Sequence, residues 1–88
     1  MVNRRRSELD IISEILRLSR NGAKKTEILY QGNLSYSQLQ SYLVFLIEKE
    51  ILEEQVVKKE NGHFKIYKNT KKGENLLENI KQTLSYLE

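Results

Sequence analysis

Four side chains close together, Tyr36, Ser37, Gln40 and Ser41, carry hydroxyl, amide or phenol groups, and no carboxylate follows them before Glu48. Such groups exchange hydrogen bonds with base edges, and a segment without negative charge approaches phosphates unopposed. Leu39, Leu43, Leu46 and Ile47 recur at helical spacing. A rotation of about 100° per residue then turns them inward and Ser37, Gln38 and Ser41 outward, with Tyr36 and Gln40 on the flanks. Base-edge contact by Gln40 with Ser41 or Ser37, and packing of Tyr36 on a sugar or thymine methyl, is one reading of this face. A merely solvated face, with Gln38 occupied in capping, is the other.

Cations lie on both sides of this segment. Lys58, Lys59, Lys65 and Lys68 sit with His63 on and around an expected hairpin, where the four lysines suit phosphate contact in or beside a minor groove and His63 reads as a solvated turn residue. Lysines also blunt an exposed strand edge against aggregation, and Glu53, Glu54 and Glu60 dilute the positive field. Lys24 and Lys25 open a second helix and serve either backbone contact or solubility. Arg4-Arg5-Arg6 precedes the first helix, so Arg5 and Arg6 read either as a groove-seeking arm or as a short charged terminus.

The composition narrows the chemistry. In 88 residues there are 15 basic and 12 acidic side chains, a formal net charge of +3 that suits a polyanionic partner without demanding one. Cysteine is absent and His63 is the single histidine, which excludes a disulfide framework, a cysteine zinc site and multi-histidine metal sites. No glycine-rich phosphate loop or metal-ligand cluster appears, so neither catalysis, a cofactor nor a bound metal is expected. The longest apolar run, Tyr42 to Ile47, is far short of a membrane span, and the basic amino end leads into charged, amphipathic residues rather than a signal segment. A cytoplasmic, nucleoid-associated protein with no membrane partner is the expectation.

The elements that must hold these residues follow from local signals. Ser7 reads as the N-cap of a first helix with Glu8 and Asp10 in its first turn and Leu9, Ile12, Ile15 and Leu16 along one stripe, ending near Arg20 before Asn21-Gly22. A second helix runs from Lys24 or Lys25 to Gln31, with Gly32 as its breaker. Ser35 with Gln38 forms a capping box, stapled by Leu34 and Leu39, for a third helix ending near Glu50. Residues 55–58 and 64–68 read as strands around Asn61-Gly62, with a loop expected to exceed two residues. Thr70 caps a last helix to Leu87 carrying Leu77, Ile80, Leu84 and Leu87 at 3-4-3 spacing.

A short connection between the second and third helices followed by a two-stranded ribbon assembles as a winged helix-turn-helix, mainly α with a small β hairpin. Residues 1–70 form that domain with its basic arm, and residues 71–88 form the C-terminal helix. The stripe Leu77, Ile80, Leu84 and Leu87 has no obvious partner in so small a domain. It is expected to pair with a second copy in a homodimer, with folding back onto the first helix as the alternative.

The stretch Gly22-Ala-Lys-Lys-Thr-Glu-Ile-Leu-Tyr30, then Asn33-Leu-Ser-Tyr-Ser-Gln-Leu39, and Tyr67, Thr70 and Gly73 in a Tyr-x-x-Thr-x-x-Gly element resemble the archaeal winged-helix regulators. Within them the chain is most similar to the small dimeric chromatin proteins of the crenarchaeal "Sso-ten-a" type. The resemblance implies duplex DNA binding through Tyr36, Ser37, Gln40, Ser41 and the wing lysines, and dimerisation through an antiparallel coiled coil of C-terminal helices. The last helix here is short for that coiled coil. The leading expectation is therefore a non-catalytic homodimer that binds double-stranded DNA, as a transcription regulator or nucleoid-organising protein. The alternative is a winged helix whose third helix and Phe45 dock a partner protein.

Overall fold

The computed structural model describes residues 7–87. The elements run α1 (Glu8–Leu18), α2 (Lys25–Gln31), α3 (Tyr36–Glu48), β1 (Leu52–Lys59), β2 (Gly62–Asn69) and α4 (Lys71–Ser85). This is the winged-helix order expected from the sequence.

Each longer helix starts where a side chain satisfies its free N–H groups. The Ser7 hydroxyl accepts from Asp10 N–H and Asp10 returns the bond to Ser7 N–H. Ser35 and Gln38 exchange the same pair at α3, and Thr70 Oγ1 accepts from Gly73 N–H at α4. α1 stops two residues before the expected Arg20. There the carbonyl of buried Ser19 accepts N–H bonds from Gly22 and from Asn69, which turns the chain toward the hairpin. α3 likewise stops at Glu48, because Glu50 takes φ 59° and Ile51 N–H closes back on the Leu46 carbonyl.

β1 and β2 pair antiparallel from Leu52↔Asn69 out to Lys59↔Gly62. The connection is therefore the two residues Glu60 and Asn61, not the longer loop expected. Ladder hydrogen bonds come from the backbone, so polar side chains at the tip do not end the pairing, and Gly62 accepts the positive φ of 128° that the turn requires. A third, one-residue strand is added by Ala23, whose N–H donates to the Tyr67 carbonyl (2.9 Å) and whose carbonyl accepts from Tyr67 N–H (2.8 Å).

The core gathers Ile11, Ile15 and Leu16 of α1, Ile28 of α2, Leu39, Leu43 and Leu46 of α3, and Leu52 and Tyr67 of the hairpin. Leu77 of α4 joins it and Ile80 is also buried. The expectation that the terminal stripe lacks an internal partner thus fails for Leu77 and Ile80. α4 lies back along α1, with its first turn beside the end of α1 (Arg20 Nε to Glu74 Oε1, 3.6 Å) and Leu9 sharing an open groove with Leu76, Asn79, Ile80, Thr83 and Leu84. This fold-back is possible because α4 starts tight against the β1 entrance. Thr70 Oγ1 donates to the carbonyls of Glu50 and Ile51, and a Cβ on Gly73 would stand 2.1 Å from the Ile51 carbonyl oxygen. Beyond Ile80 the stripe opens. Leu84 is half-buried and Leu87 exposed.

Tyr67 closes the sheet onto the core, and its phenol donates to Glu54 Oε2 at 3.1 Å. Burial, then this bond and the Glu54 charge, then Tyr36, raise the phenol above its ordinary 10.0. A raised value means the folded state favours the neutral phenol. That contribution is complete below the unfolded value and is lost as pH climbs through the raised one. The stability difference between wild type and Tyr67→Phe, measured by urea unfolding, should be flat below about pH 10 and shrink above it. A difference that stays constant well above pH 10 would contradict this coupling.

Candidate nucleic-acid interface

The connection from α2 to α3 is tight. Gly32 N–H donates to Ile28 carbonyl, Asn33 takes φ 52°, and Leu34 N–H returns to Leu29 carbonyl with the Leu34 side chain buried. This geometry sets the start of α3 beside the start of α2. Lys25, in the first turn of α2, reaches across: its ammonium donates to Tyr36 hydroxyl (3.3 Å) and to Gln40 Oε1, and stands 4.8 Å from the Tyr36 ring centroid.

Its neighbour Lys24 turns the other way. The Lys24 N–H is held by Glu27 Oε1 (3.0 Å), and its ammonium lies 4.6 Å from the centroid of Phe64 on β2. Lys59, at the end of β1, places its ammonium 5.2 Å from the same ring. Each cation–ring contact is worth only about 0.5–1 kcal/mol at an exposed site. Together they hold two lysines in place without neutralising them. Gln40 and Tyr36 on α3, Lys25 and Lys24 at the head of α2, and Phe64 and Lys59 on the hairpin thus form one continuous line of contacts.

The register divides the other wing cations. Opposed residues share a face, so Lys58 with His63 and Val56 with Lys65 lie on the face of Tyr67 and Glu54, whereas Lys59 lies on the face of Val57 and Phe64. Lys65 is engaged by Glu54 (3.5 Å). The three lysines Lys58, Lys59 and Lys65, expected as one group, therefore sit on two faces, and one of them already has an acidic partner.

Ser37 and Ser41 are exposed on α3, turned away from its buried Leu39, Leu43 and Leu46. They line an open groove of about 510 Å³ against α1, shared with Glu8, Ile12, Gln38, Tyr42 and Phe45. Phe45 and Val44 both remain nearly half-exposed. Arg5 and Arg6 lie outside the described residues. Phe64 was not singled out by sequence reasoning. Its signal was slight: an aromatic residue at an alternating position among hairpin lysines.

Among the described residues no group of three or more His, Cys, Asp or Glu side chains is placed to hold a metal ion. No helix among them is long and apolar enough to cross a membrane.

Comparison with known proteins agrees with the architecture. A family model described as winged helix-turn-helix matches residues 5–88. An uncharacterized protein of Methanocaldococcus jannaschii is 35% identical over 79 residues, covering 89% of this chain but 34% of its own length, so the chain spans about one third of that relative. Among solved structures the chain is similar to Sso10a-2, described as a DNA-binding protein from Sulfolobus solfataricus. The TM-score is 0.75 with 29% identity, over 92% of this chain and 81% of that one. The archaeal winged-helix resemblance carried by residues 22–39 and by Tyr67, Thr70 and Gly73 is upheld. The chain belongs to the winged helix-turn-helix family.

Proposed function

We propose that this protein binds double-stranded DNA without catalysing a reaction, α3 facing a major groove and the hairpin lying beside an adjacent phosphate strand. The observation that carries this reading is the Lys24–Lys25 pair. One lysine is tied to the polar end of α3 and the other to the wing, so cations sit between the two elements that this architecture applies to a duplex. The family and the DNA-binding neighbour support the same reading. Lys24, Lys25 and Lys59 supply phosphate contacts in this arrangement. Lys58 and Lys65, on the other face of the wing, add longer-range attraction. Gln40, Ser41, Ser37 and Tyr36 meet bases or sugars. The finer role is that of a homodimeric regulator or nucleoid-organising protein.

Each neutralised phosphate adds about 0.9 to the slope of log affinity against log salt concentration. Replacing Lys24, Lys25 and Lys59 by alanine should lower the magnitude of that slope by about that amount for each phosphate no longer neutralised, whereas Lys71→Ala, remote on α4, should leave it unchanged. Equal slopes for wild type and the triple variant would remove this surface from the interface.

Dimerisation, in this proposal, uses what the fold leaves uncovered: Leu84, Leu87 and exposed Leu9, beside the open groove lined by Leu76, Asn79 and Thr83. Leu77 and Ile80 support that surface from beneath. Few side chains remain to offset the cost of association, so a weak dimer is expected. Sedimentation should show a concentration-dependent dimer in wild type and a folded monomer for Leu84→Asp with Leu87→Asp. A wild type that stays monomeric throughout the micromolar range would overturn it.

A further inference from the structure

Lys25 engages two hydrogen-bonding groups at the start of α3, Tyr36 hydroxyl and Gln40 Oε1. An ammonium has three N–H donors and no lone pair, so the part of the Gln40 amide that meets it is the carbonyl oxygen Oε1. The Gln40 amide nitrogen keeps two donors on an exposed side chain. Tyr36 hydroxyl also accepts from Lys25, so its own proton remains available to donate. The ammonium carries a third N–H donor beside these two. Gln40 and Tyr36 are both exposed, and α3 contains no carboxylate before Glu48 that would add an acceptor nearby.

Base edges differ in what they require of such a surface. In the major groove guanine presents two acceptors, N7 and O6. Adenine presents an acceptor and a donor, and cytosine a donor. An unengaged glutamine suits adenine because it accepts from N6 while donating to N7. With one of the two lone pairs of Oε1 taken by a cation, that pairing is weakened, and an array of donors suits the two acceptors of guanine.

We propose that Lys25 is a specificity-determining residue that converts Gln40 from an adenine reader into a guanine reader. The inference rests on the proposed duplex binding. It also separates the roles of the two neighbouring lysines: Lys24 serves affinity alone, and Lys25 serves affinity and choice of base. The bond between Lys25 and Gln40 is charge-assisted, which favours its survival when the surface is desolvated.

The test is selection of bound duplexes from a random pool by wild type, Lys25→Met and Gln40→Ala. Methionine keeps an unbranched stem beside Tyr36 and releases Oε1. Wild type should enrich guanine at one position, by about fivefold to a hundredfold over adenine given the usual discrimination of a two-bond base contact. Lys25→Met should shift that same position toward adenine, and Gln40→Ala should flatten it while still binding duplex at low salt. A wild type that binds duplex but enriches no guanine overturns the inference and leaves the DNA-binding reading standing. A Lys25→Met protein that keeps the wild-type guanine preference does the same. Failure of wild type to bind any duplex at low salt overturns both.

Discussion

Two backbone hydrogen bonds between Ala23 and Tyr67 hold the architecture together. They fix the segment that joins α1 to α2 against β2, and the next two residues in the chain are Lys24 and Lys25. A backbone pair of this kind has little rotational freedom, so it places the backbone from which both lysines extend. Gly22 makes the approach possible: its φ of 90° is one that residues with a Cβ avoid, and an added Cβ would press to 2.8 Å from Ile66 Cδ1. Without the bridge, the helical part of the molecule and its wing would share a core but not a surface.

Tyr67 is the hub of that arrangement. Its backbone carries the bridge, its ring closes the core, and its phenol reaches Glu54, which in turn holds Lys65. Three residues later Thr70 caps α4 and binds the β1 entrance, and three after that Gly73 lets α4 pass close to Ile51. The Tyr-x-x-Thr-x-x-Gly spacing therefore has a physical meaning at each position: anchor, cap and close approach. The same segment seats α4 on α1, which is why Leu77 and Ile80 belong to the chain's own core rather than to a free stripe. One short stretch of sequence, Tyr67 to Gly73, therefore anchors both the segment that leads to Lys24 and Lys25 and the start of α4.

Much of this was legible from local chemistry. The caps at Ser7, Ser35 and Thr70 and the stripe Leu39, Leu43 and Leu46 are each set by side chains within a few residues of one another, so spacing alone exposed them. What stayed hidden depended on partners distant in sequence. Ala23 pairs with Tyr67 as a single residue and leaves no alternating pattern. The spacing of Leu77 and Ile80 shows that a face is buried but not which helix buries it. The faces of Lys58, Lys59 and Lys65 follow from the hairpin register, and that register turns on a two-residue connection that the polar tip disguised. The Lys25–Gln40 hydrogen bond joins two residues each recognised as a candidate, yet nothing in their spacing indicated that one engages the other.

The central claim is that the joined heads of α2 and α3 and the adjoining wing form one duplex-binding surface. Titrating the isotopically labelled protein with a random-sequence duplex at low salt, and following backbone amide signals by NMR, tests it most directly. Signals of Lys24, Lys25, Tyr36, Ser37, Gln40, Ser41 and Lys59 should shift together, while those of Lys71, Glu78 and Lys81 on α4 stay in place. Shifts confined to α4, or no shifts at all, would contradict it.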